Sequence, residues 1–179
     1  ILQYDERFLK YCLNEKILDF VEQLIGQDFA LWNSSFFAKP ALNGHATPWH
    51  QDGQYWPIRP LATCTVWLAI DDVDEYNGPM TVIPGSHIHG QIPFERSTKE
   101  ENNVLGQTVN NPEKWGKPKI PFTLKSGQIS IHTDLLLHGS ETNQSNRRRC
   151  GLTLRYMPPD VRTTNSDEAR CYICRGKNM

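Results

Sequence analysis

Short strand-forming segments run through most of this chain, and they restrict the folds it can adopt. They are rich in β-branched and aromatic residues, which favour strands, and several are bounded by Gly, Pro, Asn or Asp. The segments are Phe29 to Phe37, Ala62 to Ile70, Met80 to Ile83, Ile120 to Leu124, Ile129 to His132, Leu135 to Leu137 and Cys150 to Tyr156. Many short strands joined by turns predict a mainly β domain, an antiparallel sandwich or barrel.

A single helix is predicted before these strands. Its apolar residues recur every three or four positions, which is the spacing of one helical face, and Gly26 follows as a residue suited to a left-handed cap. The apolar positions are Leu9, Leu13, Ile17, Val21, Leu24 and Ile25. We expect this helix to cover one face of the β domain.

Size and charge exclude several classes of protein. The chain has 179 residues, with 19 Lys and Arg against 20 Asp and Glu, which fits one domain over residues 1–179 and gives no whole-domain footprint for nucleic acid. Charge-free runs such as Thr63 to Ile70 are far shorter than the roughly 20 apolar residues of a membrane span, so no membrane role is expected. Five cysteines are too sparse for a disulfide framework and favour an intracellular, cytoplasmic setting. Nothing in the sequence indicates an oligomeric state.

The stretch from 86 to 119 differs from the rest of the chain because most of it is polar. Glu100, Glu101, Asn102 and Asn103 follow one another within it. It is too long and too hydrophilic for an ordinary hairpin connection. We predict that it forms a surface insertion or a lid.

Three residues form a candidate metal site. His50 and Asp52 are two positions apart, so on an extended segment both side chains project from one face. His138 ends an apolar run much later in the chain and is followed by Gly. Two His and one carboxylate are the ligands of non-haem Fe(II) oxygenases and leave coordination positions open. Arg149, eleven residues after His138, can offer a two-donor fork to a carboxylate beyond the metal.

Simpler interpretations compete at each of these motifs. An isolated His and Asp pair often occurs by chance, and only the combination with His138 and Arg149 makes it specific. His87 and His89 share the same spacing but have no carboxylate nearby and are expected to be solvated or to line a mouth. His132 is expected in the core or at its rim. Cys171 and Cys174 are interpreted as ordinary thiols. Arg147 and Arg148 are interpreted as part of a solvated loop face.

With these residues the chain resembles the phytanoyl-CoA dioxygenase family of Fe(II)- and 2-oxoglutarate-dependent oxygenases. The resemblance runs from about Lys39 to Tyr156, and its motifs occur in the family's order. They are His50-Gln51-Asp52, Tyr55-Trp56-Pro57-Ile58-Arg59-Pro60, Trp67, Asn77-Gly78, Ile83-Pro84-Gly85-Ser86-His87, His138-Gly139-Ser140 and Arg149. Members of the family usually carry more chain at both ends.

The resemblance implies a fold and a ligand set. The fold is a double-stranded β-helix, the cupin-like jelly roll, with a flanking N-terminal helix. His50, Asp52 and His138 are implied to bind iron. Five residues are implied to bind or neighbour 2-oxoglutarate: Arg149 and Ser140 at its distal carboxylate, Trp67 lining its pocket, and Lys39 and Ser35 nearby.

The resemblance also implies a reaction. Fe(II), 2-oxoglutarate and O2 are its requirements, and a C–H bond is hydroxylated with release of succinate and CO2. A mouth lined by Tyr55, Trp56, Arg59, Lys39 and parts of the insertion suits a small polar or anionic metabolite as the substrate. Two alternatives stay open, a metal-binding cupin that performs no oxidation and a catalytically silent binding module.

Overall fold

The computed structural model describes residues 5–96, 105–165 and 171–177. Two α-helices come first, α1 (Leu9–Cys12) and α2 (Glu15–Ile25), and 3₁₀ turns occur at Glu6–Phe8, Asp52–Gln54, Ser86–His89 and Pro112–Trp115. The strands are β1 (Phe29–Lys39), β2 (Thr47–His50), β3 (Ile58–Arg59), β4 (Cys64–Ala69), β5 (Thr81–Val82), β6 (Glu95–Arg96), β7 (Gln107–Thr108), β8 (Ile120–Pro121), β9 (Ile129–Thr133), β10 (His138–Ser140), β11 (Arg149–Met157), β12 (Arg162–Thr163) and β13 (Tyr172–Arg175).

The predicted N-terminal helix is confirmed, but it is not continuous. It is interrupted at Leu13, and Asn14 starts α2 by accepting a hydrogen bond from the backbone N–H of Lys16. An Asn side chain satisfies one of the free N–H groups of a helix start in this way. Gly26 ends α2, as the sequence predicts, but its φ of 90° and ψ of 178° are not those of the predicted left-handed cap. The helix covers one face of the larger sheet through Ile17, Leu18 and Val21.

Two antiparallel sheets form the body of the molecule, and the prediction of a mainly β jelly roll is confirmed. The larger sheet has the order β13-β1-β11-β4-β9, and the smaller one has the order β2-β10-β5-β8. The segment Leu135 to Leu137 is not a strand, contrary to the sequence-based expectation. It forms a turn in which Leu136 N–H donates to the carbonyl of Thr133, and the strand β10 begins only at His138.

The long strand β11 separates the apolar core from the polar interior. Successive side chains of a strand point to opposite faces. Leu152, Leu154 and Tyr156 therefore join the apolar core beneath α2, whereas Arg149 and Arg155 line a cavity on the opposite face of the sheet. All three core side chains are at most 1% exposed. The interior that holds the candidate site is thus one face of a sheet whose other face is anchored in the core.

The predicted insertion 86–119 is packed against the body at some points. Ile92 and Val109 are 2% exposed and lie in one apolar cluster with Ile83 and Leu137. Residues 97–104, which include the four consecutive polar residues, lie outside the described part. No helix in the described ranges is long and apolar enough to cross a membrane.

Candidate active site

Strand pairing brings the three predicted ligands together. His50 ends β2 and His138 begins β10, and the two are register partners in the smaller sheet. Asp52 follows in the 3₁₀ turn Asp52–Gln54. The ligand atoms of these three residues all lie within 4.8 Å of one another. Ligands from distant parts of the sequence therefore form one cluster because β2 and β10 are neighbours.

The hydrogen bonds of the two histidines leave the same ring nitrogen available on each. His50 Nδ1 lies 2.8 Å from the carbonyl oxygen of Pro48, and His138 Nδ1 lies 2.9 Å from that of Leu136. A carbonyl can only accept a hydrogen bond, so both Nδ1 atoms carry the proton and both Nε2 atoms offer a lone pair. Asp52 Oδ1 lies 3.6 Å from Nε2 of His50 and 4.0 Å from Nε2 of His138.

The electrostatics keep Asp52 and His138 in the protonation states that bind a metal. Burial, and next the charge of His50, lower the pKa of His138 to about 3, so its imidazole is neutral. Burial alone would raise the pKa of Asp52, but the imidazoles of His132 and His50 outweigh it and hold that pKa well below its usual range. A metal would therefore meet a carboxylate and a neutral imidazole without displacing protons from them.

Gln51 lies between His50, which ends β2, and Asp52, which begins the following 3₁₀ turn. Its side chain connects this segment to neighbouring parts of the chain. Its side chain is fully buried, and its Nε2 donates to the carbonyls of Gly90 and Leu135. Its Oε1 accepts from the backbone N–H of Ile92. One amide therefore joins the His50 segment to the insertion and to the turn before His138. Hydrogen bonds of this kind fix metal ligands in place.

These residues fit a metal ion. Two imidazoles and one carboxylate on one side of a cavity are the donor set that non-haem Fe(II) uses, with further positions left for ligands. The cavity next to the cluster is lined by residues from both sheets, including Ser140, Trp67 and Arg149. The predicted ligands and three of the predicted 2-oxoglutarate residues therefore share one cavity.

Arg149 is held in place by the backbone before any ligand binds. Its Nε and Nη2 donate to the carbonyl of Gly78 at 3.1 and 2.6 Å, and its guanidinium lies 5.5 Å from the Trp67 ring centre. Burial lowers the pKa of Arg149 to about 10. Gly151 makes room for the indole, because a Cβ there would lie 2.0 Å from Trp67 Cζ2.

Lys39 and Ser35 lie on β1 beside this cavity without lining it. Lys39 is the register partner of Arg149, is buried, and donates from Nζ to the carbonyl of His45. Burial, and then the charge of Arg149, lower the pKa of Lys39 to about 8. The backbone N–H and carbonyl of Ser35 both bond to the Thr153 hydroxyl.

The three predicted substrate residues lie in different places. The Tyr55 ring centre is 5.9 Å from that of His50, and its hydroxyl donates to the carbonyl of Gln107 at 3.4 Å. The Trp56 ring lies 5.1 Å from the guanidinium carbon of Arg155. Arg59 is exposed and donates to the carbonyls of Trp56 and Ile58, so the structure does not bring it into the cavity.

Two residues that the sequence did not assign to the site are part of it. His132 Nε2 lies 3.7 Å from Asp52 Oδ2, and its side chain is 2% exposed. Arg155 lines the same cavity. Alternation along the predicted strand Cys150 to Tyr156 could have identified Arg155, because it lies an even number of residues after Arg149. His132 becomes visible only once the pairing of β9 with β4 is known.

The fold and the donor set define a class of protein, and comparisons with known proteins agree with it. The family model of phytanoyl-CoA dioxygenase (PhyH) matches residues 2–151. The chain therefore belongs to the phytanoyl-CoA dioxygenase family, whose members are Fe(II)- and 2-oxoglutarate-dependent oxygenases.

Relatives and solved structures agree with this assignment. The chain is 29% identical over 148 residues to peroxisomal phytanoyl-CoA dioxygenase of Bos taurus, and the match covers 80% of this chain and 44% of the relative. It is 30% identical to a probable alpha-ketoglutarate-dependent hypophosphite dioxygenase of Stutzerimonas stutzeri, covering 83% and 52%. The apo structure of the non-heme monooxygenase ThoJ superposes with a TM-score of 0.79 at 29% identity, covering 94% and 61%. The chain spans about half the length of the curated relatives it matches.

Proposed function

We propose that this protein is an Fe(II)- and 2-oxoglutarate-dependent dioxygenase that hydroxylates an unactivated C–H bond of a small polar or anionic metabolite. The observation that carries the proposal is the convergence of His50, Asp52 and His138 in the cavity that also contains Arg149. A non-oxidative metal site needs the three ligands but has no use for a buried guanidinium fixed beside them. Bound Fe(II) would supply O2 activation, coupled to oxidative decarboxylation of 2-oxoglutarate to succinate and CO2.

The side chains of this protein would bind and orient the cosubstrate. Arg149 would pair with the distal carboxylate of 2-oxoglutarate, because a guanidinium binds a carboxylate through a planar pair of charge-assisted hydrogen bonds. The two bonds to Gly78 restrict the side chain beforehand and so reduce the entropy lost on binding. Ser140 would add a hydroxyl, and the Trp67 indole would exclude water from the methylene carbons.

A polar substrate agrees with the residues that line the site. The cavity is lined by polar groups from both sheets, including Thr65, Thr153 and Arg155. Two relatives are named for small polar substrates, the probable hypophosphite dioxygenase and the L-proline trans-4-hydroxylase of Streptomyces griseoviridis. We infer a substrate of similar size and polarity for this protein.

Coupled turnover tests the proposal. The protein would be incubated with Fe(II), 2-oxoglutarate, O2 and a panel of phosphonates, amino acids and acyl-CoA thioesters, with succinate and hydroxylated products measured by mass spectrometry. We expect succinate formation to rise with a phosphonate or an amino acid and to need Fe(II). Preference for a long acyl-CoA would contradict the substrate class, and no succinate with any substrate would contradict the reaction.

A further inference from the structure

A row of polar side chains crosses the inner face of the larger sheet beside Asp52. Asn33 of β1 pairs with Arg155 of β11, Arg155 pairs with Thr65 of β4, and Thr65 pairs with His132 of β9. Register partners on one face of a sheet lie side by side. The row is separate from Arg149, which is six residues, or about 20 Å of strand, away from Arg155.

Within the described part of the chain, three members of this row have buried polar atoms with no hydrogen-bond partner. These atoms are Arg155 Nε, Thr65 Oγ1, and both ring nitrogens of His132, whose Nε2 lies 3.7 Å from Asp52 Oδ2, beyond hydrogen-bond distance. Arg155 and His132 are 5% and 7% exposed, and Thr65 is fully buried. Buried polar atoms are nearly always satisfied, so several orphans facing one cavity indicate a missing polar ligand.

The charge at Arg155 is not paired directly with a carboxylate in the described part of the chain, and burial lowers its pKa although the charge of Asp52 partly offsets that effect. Its guanidinium lies 5.1 Å from the Trp56 ring centre and 5.7 Å from that of Phe37, and Nη1 donates to Asn33 Oδ1 at 2.9 Å. Among the described residues, no carboxylate forms an ion pair with it within 4.0 Å. Burying a guanidinium without an anion is costly, and the cost is recovered when an anion binds.

All three side chains can donate a hydrogen bond. Arg155 offers Nε–H, Thr65 a hydroxyl, and His132 a ring N–H. Three donors on one wall suit an oxyanion, whose several lone pairs can accept from all of them. Arg155, Thr65 and His132 line the same cavity as the three predicted metal ligands.

We propose that Arg155, Thr65 and His132 form an oxyanion subsite that binds the acidic group of the substrate, a carboxylate or a phosphonate, beside the metal and away from Arg149. This inference rests on the proposed function, because it takes the triad as the metal centre and Arg149 as the partner of 2-oxoglutarate. Two anions would then lie in the same cavity. 2-Oxoglutarate would pair with Arg149, and the acidic group of the substrate would pair with Arg155. The substrate would thus be oriented by its charge, with a neighbouring C–H bond directed to the metal.

Ligand binding without turnover tests the subsite. The protein would be loaded with Ni(II) and saturated with 2-oxoglutarate, and methylphosphonate and L-proline would be titrated separately by calorimetry. We expect saturable binding of at least one probe. We expect Arg155→Gln to weaken that binding roughly ten- to hundredfold, since a charge-assisted hydrogen bond is lost, and Thr65→Val to weaken it less. The affinity for 2-oxoglutarate should change less than about twofold.

Control variants distinguish loss of the subsite from a general loss of positive charge or of the fold. Arg148→Gln removes an exposed arginine that pairs with Asp71, and it should leave probe binding unchanged. Arg155→Lys keeps a charge and should retain part of the affinity, and thermal unfolding of each variant checks its fold. The inference would be overturned if Arg155→Gln weakened 2-oxoglutarate binding instead, because the row would then hold the keto-acid end of the cosubstrate.

Two further outcomes separate the inference from the proposed function. If wild-type protein bound Ni(II) and 2-oxoglutarate but neither probe, the subsite would be excluded while the metal centre stood. If it bound neither Ni(II) nor 2-oxoglutarate, the proposed function would fail and the subsite with it.

Discussion

Arg149 and Arg155 lie on the same face of β11, and their surroundings differ. Arg149 is fixed by two hydrogen bonds to one backbone carbonyl and lies over a single ring, Trp67. Arg155 lies near two rings, donates from Nη1 to Asn33, and has an Nε with no hydrogen-bond partner among the described residues. One guanidinium is preorganised by the backbone, and the other has one unsatisfied N–H donor.

The difference indicates that the two ends of the interior have different tasks. Under the proposed function, 2-oxoglutarate is the same molecule in every turnover. A guanidinium fixed in one geometry, such as that of Arg149, suits it because preorganisation lowers the entropy cost of binding. At the Arg155 end, the unsatisfied donors lower the stability of the folded protein until a ligand accepts their hydrogen bonds. The three predicted metal ligands line the same cavity as both arginines, so the proposed binding at either end places a ligand beside the same centre.

The largest effect is expected from removing the centre itself. Asp52→Ala and His138→Ala each delete one of three ligand atoms, so we predict loss of Fe(II) binding at micromolar metal and loss of coupled succinate formation. Metal content after anaerobic loading and desalting would measure this. His87→Ala, a change at an exposed histidine outside the cluster, should keep full occupancy. Full occupancy in Asp52→Ala would eliminate the proposed ligand set.

Gly151→Ala should disturb the Arg149 end selectively. The added Cβ would meet the Trp67 ring, and forced overpacking of this kind costs about 1–3 kcal/mol of unfolding free energy. We also predict weaker 2-oxoglutarate binding, because displacing the indole disturbs the pocket around Arg149. Urea unfolding and calorimetry measure the two effects. Gly106→Ala, where a Cβ meets nothing within 4 Å, is the matched control, and equal behaviour of both variants would refute the packing argument.

Arg155→Met should stabilise the ligand-free protein. Burial lowers the pKa of Arg155 despite the charge of Asp52, so an apolar side chain of similar length removes a net desolvation penalty, and we predict a gain of roughly 1–2 kcal/mol in unfolding free energy. Arg148→Met at the exposed Asp71 pair should stay within about 0.5 kcal/mol of wild type. A clear loss of stability in Arg155→Met would mean that the guanidinium is a structural element.

The smallest effect concerns acid sensitivity of the metal-free protein. Burial keeps folded His138 neutral down to a pKa of about 3, whereas an unfolded histidine takes up a proton near pH 6.5. The unfolded state binds more protons between these values, so stability falls as the pH drops below about 6.5.

From pH 7.5 to 5.5 this one residue should cost about 1 kcal/mol of unfolding free energy. Urea unfolding at both pH values would show a smaller drop in His138→Asn than in wild type. His87→Asn should retain the wild-type drop. An unchanged drop in His138→Asn would argue against a neutral, buried His138.

Much of the site followed from local sequence patterns. Two short-range signals can be recognised without knowledge of the tertiary packing. They are the two-residue spacing of His50 and Asp52 and the apolar run that ends at His138. The segment Leu135 to Leu137 was misassigned because an apolar run also suits a buried turn. Leu137 is fully buried against Ile83 without belonging to a strand. The apolar run therefore predicts burial at this position but not strand formation.

The remaining features depend on contacts between distant segments. His132 was expected in the core or at its rim, and it is buried. Its approach to Asp52 requires the pairing of β9 with β4. The role of Gln51 requires the position of Gly90 and Ile92 in the insertion. The break at Asn14 had a local signal, a good helix N-cap residue, which the continuous apolar spacing obscured.

Anaerobic visible spectroscopy tests the central claim most directly. Adding 2-oxoglutarate to the Fe(II)-loaded protein should produce a weak visible charge-transfer band at one cosubstrate per chain. The band should be absent in Asp52→Ala and should need at least tenfold more cosubstrate in Arg149→Gln. No band in the iron-loaded wild type, or an unchanged titration in Arg149→Gln, would contradict the account.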